Sequence, residues 1–430
     1  MSATLLWNVD LWPGQGSQVQ RGMAILMRDG RIAEVTAAGA APPPAEQAKA
    51  RVIDATGAVA IPGLCDIHVH LTTNSDLRRT VDNATYRALV PGSEKLLHGL
   101  RNGWRALAAG FTTLRVMGHR DGGDVELAAF IARGLLPGPR LSVAPWVISM
   151  TAGRGDLFYP NAWPRQPLDV ADGVDECRRV VRTHRKLGGD FIKFTASAGL
   201  LSAGDQPHWP NYTVAEMRAI VEEAHDCDMK VAAHAHATEG IRRALAAGVD
   251  TIEHGSFLDD ACIETMLKQG TFLVPTLSIT DTVIRNGARS GARADGIEKM
   301  KAARDIKVAN IRRAFEMGVK IAMGTDSSGN LCPFGQNARE LELYVDMGMT
   351  PQQALETATI QAAAALGRAD VTGLIAPGHV ADVVLVNGNP LQDIGVLRRP
   401  GGIRAVYKDG LDVTDPWPDP LCDDGRPEGR

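Results

Sequence analysis

Two His-x-His pairs sit inside short apolar runs of the chain, Asp66-Ile67-His68-Val69-His70 and His234-Ala235-His236. In a strand, side chains two apart point to the same side, so each imidazole pair can share one metal ion. His254 closes the next run, Thr251-Ile252-Glu253-His254-Gly255, and Asp326 stands in Gly324-Thr325-Asp326-Ser327. Taken singly, a histidine is more often a hydrogen-bonded structural residue, and an aspartate before a serine is as easily a helix cap. Four runs ending in metal-capable groups make coincidence the weaker reading. Lys193 is different: in Phe191-Ile192-Lys193-Phe194 an ammonium must snorkel, pair with a carboxylate such as Asp326, or lose its charge. Desolvation lowers a lysine pKa, and the neutral amine can add carbon dioxide or form a Schiff base.

These residues need elements that bring them together. Eight apolar runs alternate with long Ala/Leu/Arg/Glu segments: Val59 to His70, Phe111 to Met117, Leu141 to Ser149, Phe191 to Ser197, Lys230 to Ala237, Thr251 to Gly255, Thr271 to Leu277 and Val319 to Ser327. After the cap Thr213, Val214, Met217, Ile220, Val221 and Ala224 recur at helical steps. Strand and helix in alternation predict an α/β fold, and eight such units a (β/α)8 TIM barrel, which gathers its active site at the C-terminal ends of the strands. A doubly wound sheet is the alternative, but no Gly-x-Gly-x-x-Gly or Gly-x-x-x-x-Gly-Lys-Ser/Thr follows a strand. Both chain ends read as β-structure. Ala24–Met27 and Ile32–Val35 flank an Asp29-Gly30 turn, while Val383–Val386 and Ile403–Tyr407 precede Asp409-Gly410, so one small β unit from both ends is expected. From about Asp415 the chain is rich in Pro and Asp and reads as a loosely held tail.

Composition narrows the function classes. The 430 residues are 44% apolar and 22% charged, with 46 basic against 50 acidic side chains and no long run of either sign. That balance disfavours nucleic-acid binding. Six scattered cysteines without a Cys-x-x-Cys pair suit a reducing compartment, and no signal-peptide pattern or 18-residue apolar run is present. The expectation is a cytoplasmic homo-oligomer acting on a small molecule, without membrane or nucleic acid.

The segments Pro62-Gly63-Leu64-Cys65-Asp66-Ile67-His68-Val69-His70, Lys193, His234, Ile252-Glu253-His254-Gly255 and Gly324-Thr325-Asp326 together resemble the amidohydrolase superfamily of metal-dependent hydrolases. The resemblance spans most of the chain. The end strands look like that family's accessory β-sandwich, which places residues 1–60 and 368–430 in it and 61–367 in the barrel, and Pro351 to Gly367 looks like its late helix. Phe191-Ile192-Lys193, His234-Ala235-His236 and Gly335-Gln336-Asn337-Ala338-Arg339-Glu340-Leu341 are similar to the branch of prolidase-like carboxypeptidases and ochratoxin-hydrolysing amidases.

The resemblance implies two divalent ions, usually zinc. One would be held by His68, His70, carbamylated Lys193 and Asp326, the other by the Lys193 carbamate, His234 and His254. Two dications (about +4) against carbamate, aspartate and a bridging hydroxide (about −3) leave about +1, whereas an ammonium there would be repelled. It also implies attack by that hydroxide on an amide carbonyl, with Asp326 as base and then acid. His236 exceeds a four-coordinate ligand set and is assigned, with Tyr212, to the substrate carbonyl or oxyanion.

Two departures bear on the substrate. Thr151-Ala152-Gly153-Arg154 replaces the branch's Thr-Gly-Gly-His, and Thr112-Thr113-Leu114-Arg115-Val116 replaces Thr-Thr-Val-Arg-Asp. Arg154 is a candidate clamp for an anionic substrate end, against a solvated arginine or a pair with Asp156. The leading expectation is therefore cleavage of the amide bond of a small N-acyl amino acid or dipeptide-like compound. Carbamates, ureas, lactones and cyclic amides are the rival substrates in the same fold. A mononuclear deaminase, with His236-x-x-Glu239 as proton shuttle, and a non-enzymatic scaffold are the further alternatives. The remaining histidines, and His208-Trp209 in its loop, read as structural or surface residues.

Overall fold

The computed structural model describes residues 3–78, 85–86, 89–119, 123–156, 169–202, 204 and 206–415, so the expected tail lies outside the described residues from 416 on. The N-terminal part supplies β1 (Thr4–Leu11), β2 (Gln20–Arg28), β3 (Arg31–Ala37), β4 (Arg51–Asp54) and β5 (Val59–Pro62). The middle supplies β6 (Leu64–Val69), β7 (Phe111–Val116), β8 (Arg140–Val143), β9 (Val147–Ile148), β10 (Phe191–Thr195), β11 (Lys230–Ala235), β12 (Thr251–His254) and β13 (Phe272–Val274). Near the C-terminus come β14 (Val383–Val386), β15 (Ile403–Lys408) and β16 (Leu411–Asp412).

The two chain ends do form one sheet, in the order β16-β15-β14-β5-β1-β2-β3, with β4 paired to β1. The Asp29-Gly30 and Asp409-Gly410 turns close the β2–β3 and β15–β16 hairpins, as their sequences predict. The middle strands are parallel, in the orders β13-β12-β11-β10-β9 and β6-β7-β8. Parallel neighbours need a crossover, and helices such as Val214–His225 and Thr238–Ala247 provide it. The first of these carries the predicted cap: Glu216 N–H donates to Thr213 Oγ1 at 3.3 Å and Thr213 N–H to Glu216 Oε2 at 2.8 Å. Its Met217, Ile220, Val221 and Ala224 are buried on one face. They pack in one cluster with Ile192, Phe194, Val231 and Ala233 from the outer faces of β10 and β11. Strand parity therefore turns Lys193, His234 and His236 to the opposite, inner side.

Four expectations are corrected by the structure. The run Val59 to His70 is two strands in different sheets: β5 joins the end sheet and β6 the parallel one. They part at Gly63, where a Cβ would lie 2.2 Å from Thr112 Oγ1, so only glycine allows the close crossing. The run Leu141 to Ser149 is broken after Val143, with β8 paired to β7 and β9 to β10. The run Val319 to Ser327 makes no continuous ladder; it is joined to β13 and β6 by the isolated bridges Leu273↔Ile321 and Val69↔Ser327 and by single backbone hydrogen bonds such as Ile67 N to Met323 O at 2.9 Å. Pro351 to Gly367 is two helices, Pro351–Thr357 and Ile360–Ala365, not one. Among the described residues no helix is long and apolar enough to cross a membrane.

Candidate metal centre

Six of the predicted side chains converge in two groups. The ligand-capable atoms of His68, His70 and Asp326 lie within 4.8 Å of one another, as do those of His234, His236 and His254. All six residues are buried. The groups adjoin, with the ring centroids of His68 and His254 4.9 Å apart. Lys193 lies beside His234 through the β10–β11 register, where Lys193 pairs with Ala232 and Thr195 with His234. Among the described residues its Nζ is buried without a hydrogen-bond partner, and so is Nε2 of His234.

Burial pushes the Lys193 amine down to about 7, opposed by the charges of Glu253 and Asp326. Burial also holds His234, His236 and His254 well below the usual imidazole range, reinforced by neighbouring Arg154, Lys307, Lys193 and one another. Neutral rings keep a lone pair for a metal. At Asp326 burial works upward, but the His70 and His68 imidazoles and Arg154 outweigh it and hold the carboxyl well below the carboxylate range. The neutral imidazoles of His234, His236 and His254, an ionised carboxylate and a buried amine close together are the donors a pair of divalent cations takes.

The rings are aimed from behind. His68 Nδ1 meets Glu253 Oε2 at 2.6 Å, His70 Nδ1 meets Gly118 O at 3.2 Å, and His254 Nδ1 meets Thr276 Oγ1 at 2.7 Å. With Nδ1–H donated to a carboxylate or carbonyl, Nε2 of His68 and His70 carries the free lone pair. Both Nε2 atoms face the same Asp326 Oδ1, at 3.7 and 3.3 Å. His236 Nδ1 meets Ser256 Oγ at 2.7 Å, a hydroxyl that either donates or accepts, so this ring is free to carry its proton on Nε2. His254 and Asp326 sit at φ +72° and +59°, a left-handed backbone that non-glycine residues seldom adopt and that clusters at functional sites. At Gly324 a Cβ would meet His68 Cβ at 2.7 Å, so this glycine lets the strand end carrying Asp326 press against β6.

Sequence reasoning missed the second layer. Arg115 donates to Ile67 O at 2.6 Å and to Glu253 Oε1 at 2.7 Å, and Thr251 Oγ1 also donates to Glu253. Burial works upward on the Glu253 carboxyl, but Arg115 and His68 bring it down to about 2. The signal was present: an arginine and a glutamate inside two fully buried strands must find each other or another partner.

Tyr212 is not brought to the centre. Its ring is fully buried against Phe194 on the outer face of β10, and its hydroxyl donates to Ala171 O at 3.0 Å. The assignment to the substrate oxyanion fails by strand parity, because Phe194 and Lys193 point to opposite sides. Tyr212→Phe is expected to leave kcat/KM within about twofold and to lower stability by about 1 kcal/mol, the net worth of one hydrogen bond, in urea unfolding. Glu239 of the deaminase reading pairs with Arg243 at 2.8 Å on a helix, 48% exposed, and does not join the cluster. Arg154 does approach it: its charge acts on His234, His236, Lys193 and Asp326, and its Nε would lie 2.6 Å from a Cβ at Gly199. Asp156 Oδ2 accepts from Ala152 N at 2.9 Å. Trp209 is 48% exposed in its loop, and His225 pairs with Asp250 at 2.8 Å.

Comparison with known proteins gives consistent results. A family model described as the amidohydrolase family matches residues 59–413. Ochratoxinase of Aspergillus niger is 32% identical over 386 residues, covering 86% of this chain and 78% of that one. The crystal structure of a Xaa-Pro dipeptidase with methionine bound in the active site superposes with a TM-score of 0.87 at 32% identity, over 96% of this chain and 99% of that one. A prolidase complexed with N-methylphosphonate-L-proline gives 0.86 at 30% identity, with the same coverage.

Proposed function

Because the chain belongs to the amidohydrolase family, we propose that it is a binuclear metal-dependent hydrolase of small N-acyl amino acids or dipeptide-like amides. The observation that carries this is the unpartnered Lys193 amine lying with two donor triads. In this reading His68, His70 and Asp326 would hold one ion, His234 and His254 the other, and Lys193, as a carbamate, would serve both. In the same reading the middle strands belong to a (β/α)8 barrel, supported by the isolated bridges of residues 321 and 327 to β13 and β6, and the end sheet belongs to a β-sandwich. Relatives that hydrolyse ochratoxin or prolyl dipeptides support the amide over the lactone or carbamate.

Zinc ions held by these residues would supply Lewis acidity, which would make the attacking water more acidic and the carbonyl more electrophilic. The chain's own groups do the rest. Asp326, ionised and with its Oδ1 3.3 Å from His70 Nε2, takes the water proton and returns it to the leaving nitrogen. His236, holding its proton on Nε2 with Ser256 behind it, donates to the oxygen that gains charge. Arg154 faces the substrate's carboxylate end and orients it with paired hydrogen bonds.

The test is metal analysis, expected to give two ions per chain, followed by kcat/KM for N-acyl amino acids, dipeptides, carbamates and lactones. Highest kcat/KM on carbamates or lactones overturns the substrate class. Arg154→Ala is expected to raise KM about 10- to 100-fold for substrates ending in a carboxylate, the worth of a charged hydrogen-bond pair, and to leave neutral amides unchanged. An equal KM for both classes removes the clamp.

A further inference from the structure

Asn337 and Glu340 lie three residues apart where the chain enters the helix Arg339–Met347, and both are buried to within 1%. Their neighbours Gln336, Arg339 and Glu342 face outward and bond to Arg398 and Asp281. A buried amide and a buried carboxylate must each find partners, and here the partners belong to different donor groups.

Asn337 Nδ2 donates to Asp66 Oδ2 at 2.8 Å. The same carboxylate accepts from Thr325 Oγ1 at 2.6 Å, Thr325 N at 3.1 Å and His68 N at 3.2 Å. Asp66 thereby ties β6, which carries His68, to the segment that carries Asp326, and Asp326 N donates to His68 O at 2.8 Å. Glu340 reaches the other side. Its Oε1 accepts Leu277 N at 2.7 Å and its Oε2 accepts Ser278 N at 2.6 Å, the first amides of the helix Leu277–Asn286. That fixes Thr276, held at φ +51°, whose carbonyl also accepts Lys307 Nζ at 2.9 Å and whose hydroxyl meets His254 Nδ1.

We infer that Asn337 and Glu340 form one clamp whose two arms set the two metal subsites separately, Asn337 through Asp66 the group of His68, His70 and Asp326, and Glu340 through Thr276 the group of His254. This rests on the binuclear reading above. Neither residue touches a donor atom; both are positioning residues, each acting through one intermediate. Outer partners of this kind are worth about 10- to 100-fold in metal affinity.

The test is Co²⁺ titration of the metal-free protein against a chelator, read by visible absorption, with His70→Ala and His234→Ala identifying the two sites. Wild type is expected to bind two ions. Asn337→Asp keeps the shape but loses the donor and is expected to weaken the His68 site about 10- to 100-fold with the other unchanged. Glu340→Gln is expected to do the reverse. Thr276→Ala should reproduce the Glu340→Gln loss and Thr276→Ser should restore it; this pair carries the second arm if Glu340→Gln fails to fold by circular dichroism. Two ions in wild type, with both sites weakened alike or neither weakened in the variants, overturns the clamp alone. One ion in wild type overturns the binuclear reading and the clamp with it.

Discussion

Lys193→Met is expected to abolish catalysis while making the metal-free protein more stable. The loss of kcat/KM, on the order of 10⁴-fold, follows because a bridge shared by both donor groups cannot be removed from one alone. The gain follows because a buried amine without a partner costs about 1–3 kcal/mol, and a thioether of similar length fills the space without a polar atom. The two effects have a pH signature. The folded amine titrates near 7 and the unfolded one near its ordinary 10.5, so between those values the unfolded chain binds the extra proton. Wild-type stability therefore rises through that window, and the advantage of Lys193→Met is largest below pH 7 and shrinks above it. The buried thiols of Cys65, Cys177 and Cys262, pushed up to about 12, lower stability above about pH 8.5 in both proteins alike and cancel in the comparison. Urea unfolding from pH 6 to 9 measures the difference. A ¹³C carbamate signal after incubation with labelled bicarbonate is expected in wild type and absent in the variant. Retained activity in Lys193→Met sinks the bridging role.

Asp326→Asn is expected to lower kcat about 10³-fold for alkyl amides, within the range of general acid–base catalysis, with KM little changed. Asparagine preserves the volume and tolerates the left-handed backbone at this position, so the substitution removes charge and proton transfer without refolding the segment. The effect depends on the leaving group. An aryl ester whose phenolate departs without protonation needs only half of what Asp326 does, and its loss is expected to be smaller than that of an alkyl amide. Equal losses across leaving groups would leave Asp326 a ligand and nothing more.

The donor residues were legible because their signals are local. A two-residue spacing fixes the side of a strand without knowledge of the partner strand, and His68 with His70, and His234 with His236, fall as that rule demands. The hairpin turns were legible for the same reason. What failed depended on contacts between distant segments. Nothing at Gly63 distinguishes a continuous strand from a break; the break follows from Thr112 lying across it and from β14 pairing with β5. Tyr212 stood close in sequence to β10 yet packs on its outer face, a fact of helix placement that its neighbours do not encode. Arg115 and Glu253 were visible as buried charges, but their pairing joins residues 138 positions apart.

The sheet built from both termini has a consequence for synthesis on the ribosome. β5 ends at Pro62 and its hydrogen-bonding neighbour β14 begins at Val383, so the nascent chain emerges with one side of β5 unsatisfied. At about 5–20 residues per second that exposure lasts on the order of 15–60 s. An open edge of Val-Ala-Ile invites pairing with another chain, so the first sixty residues are a period of aggregation risk that ends only when the last strands arrive.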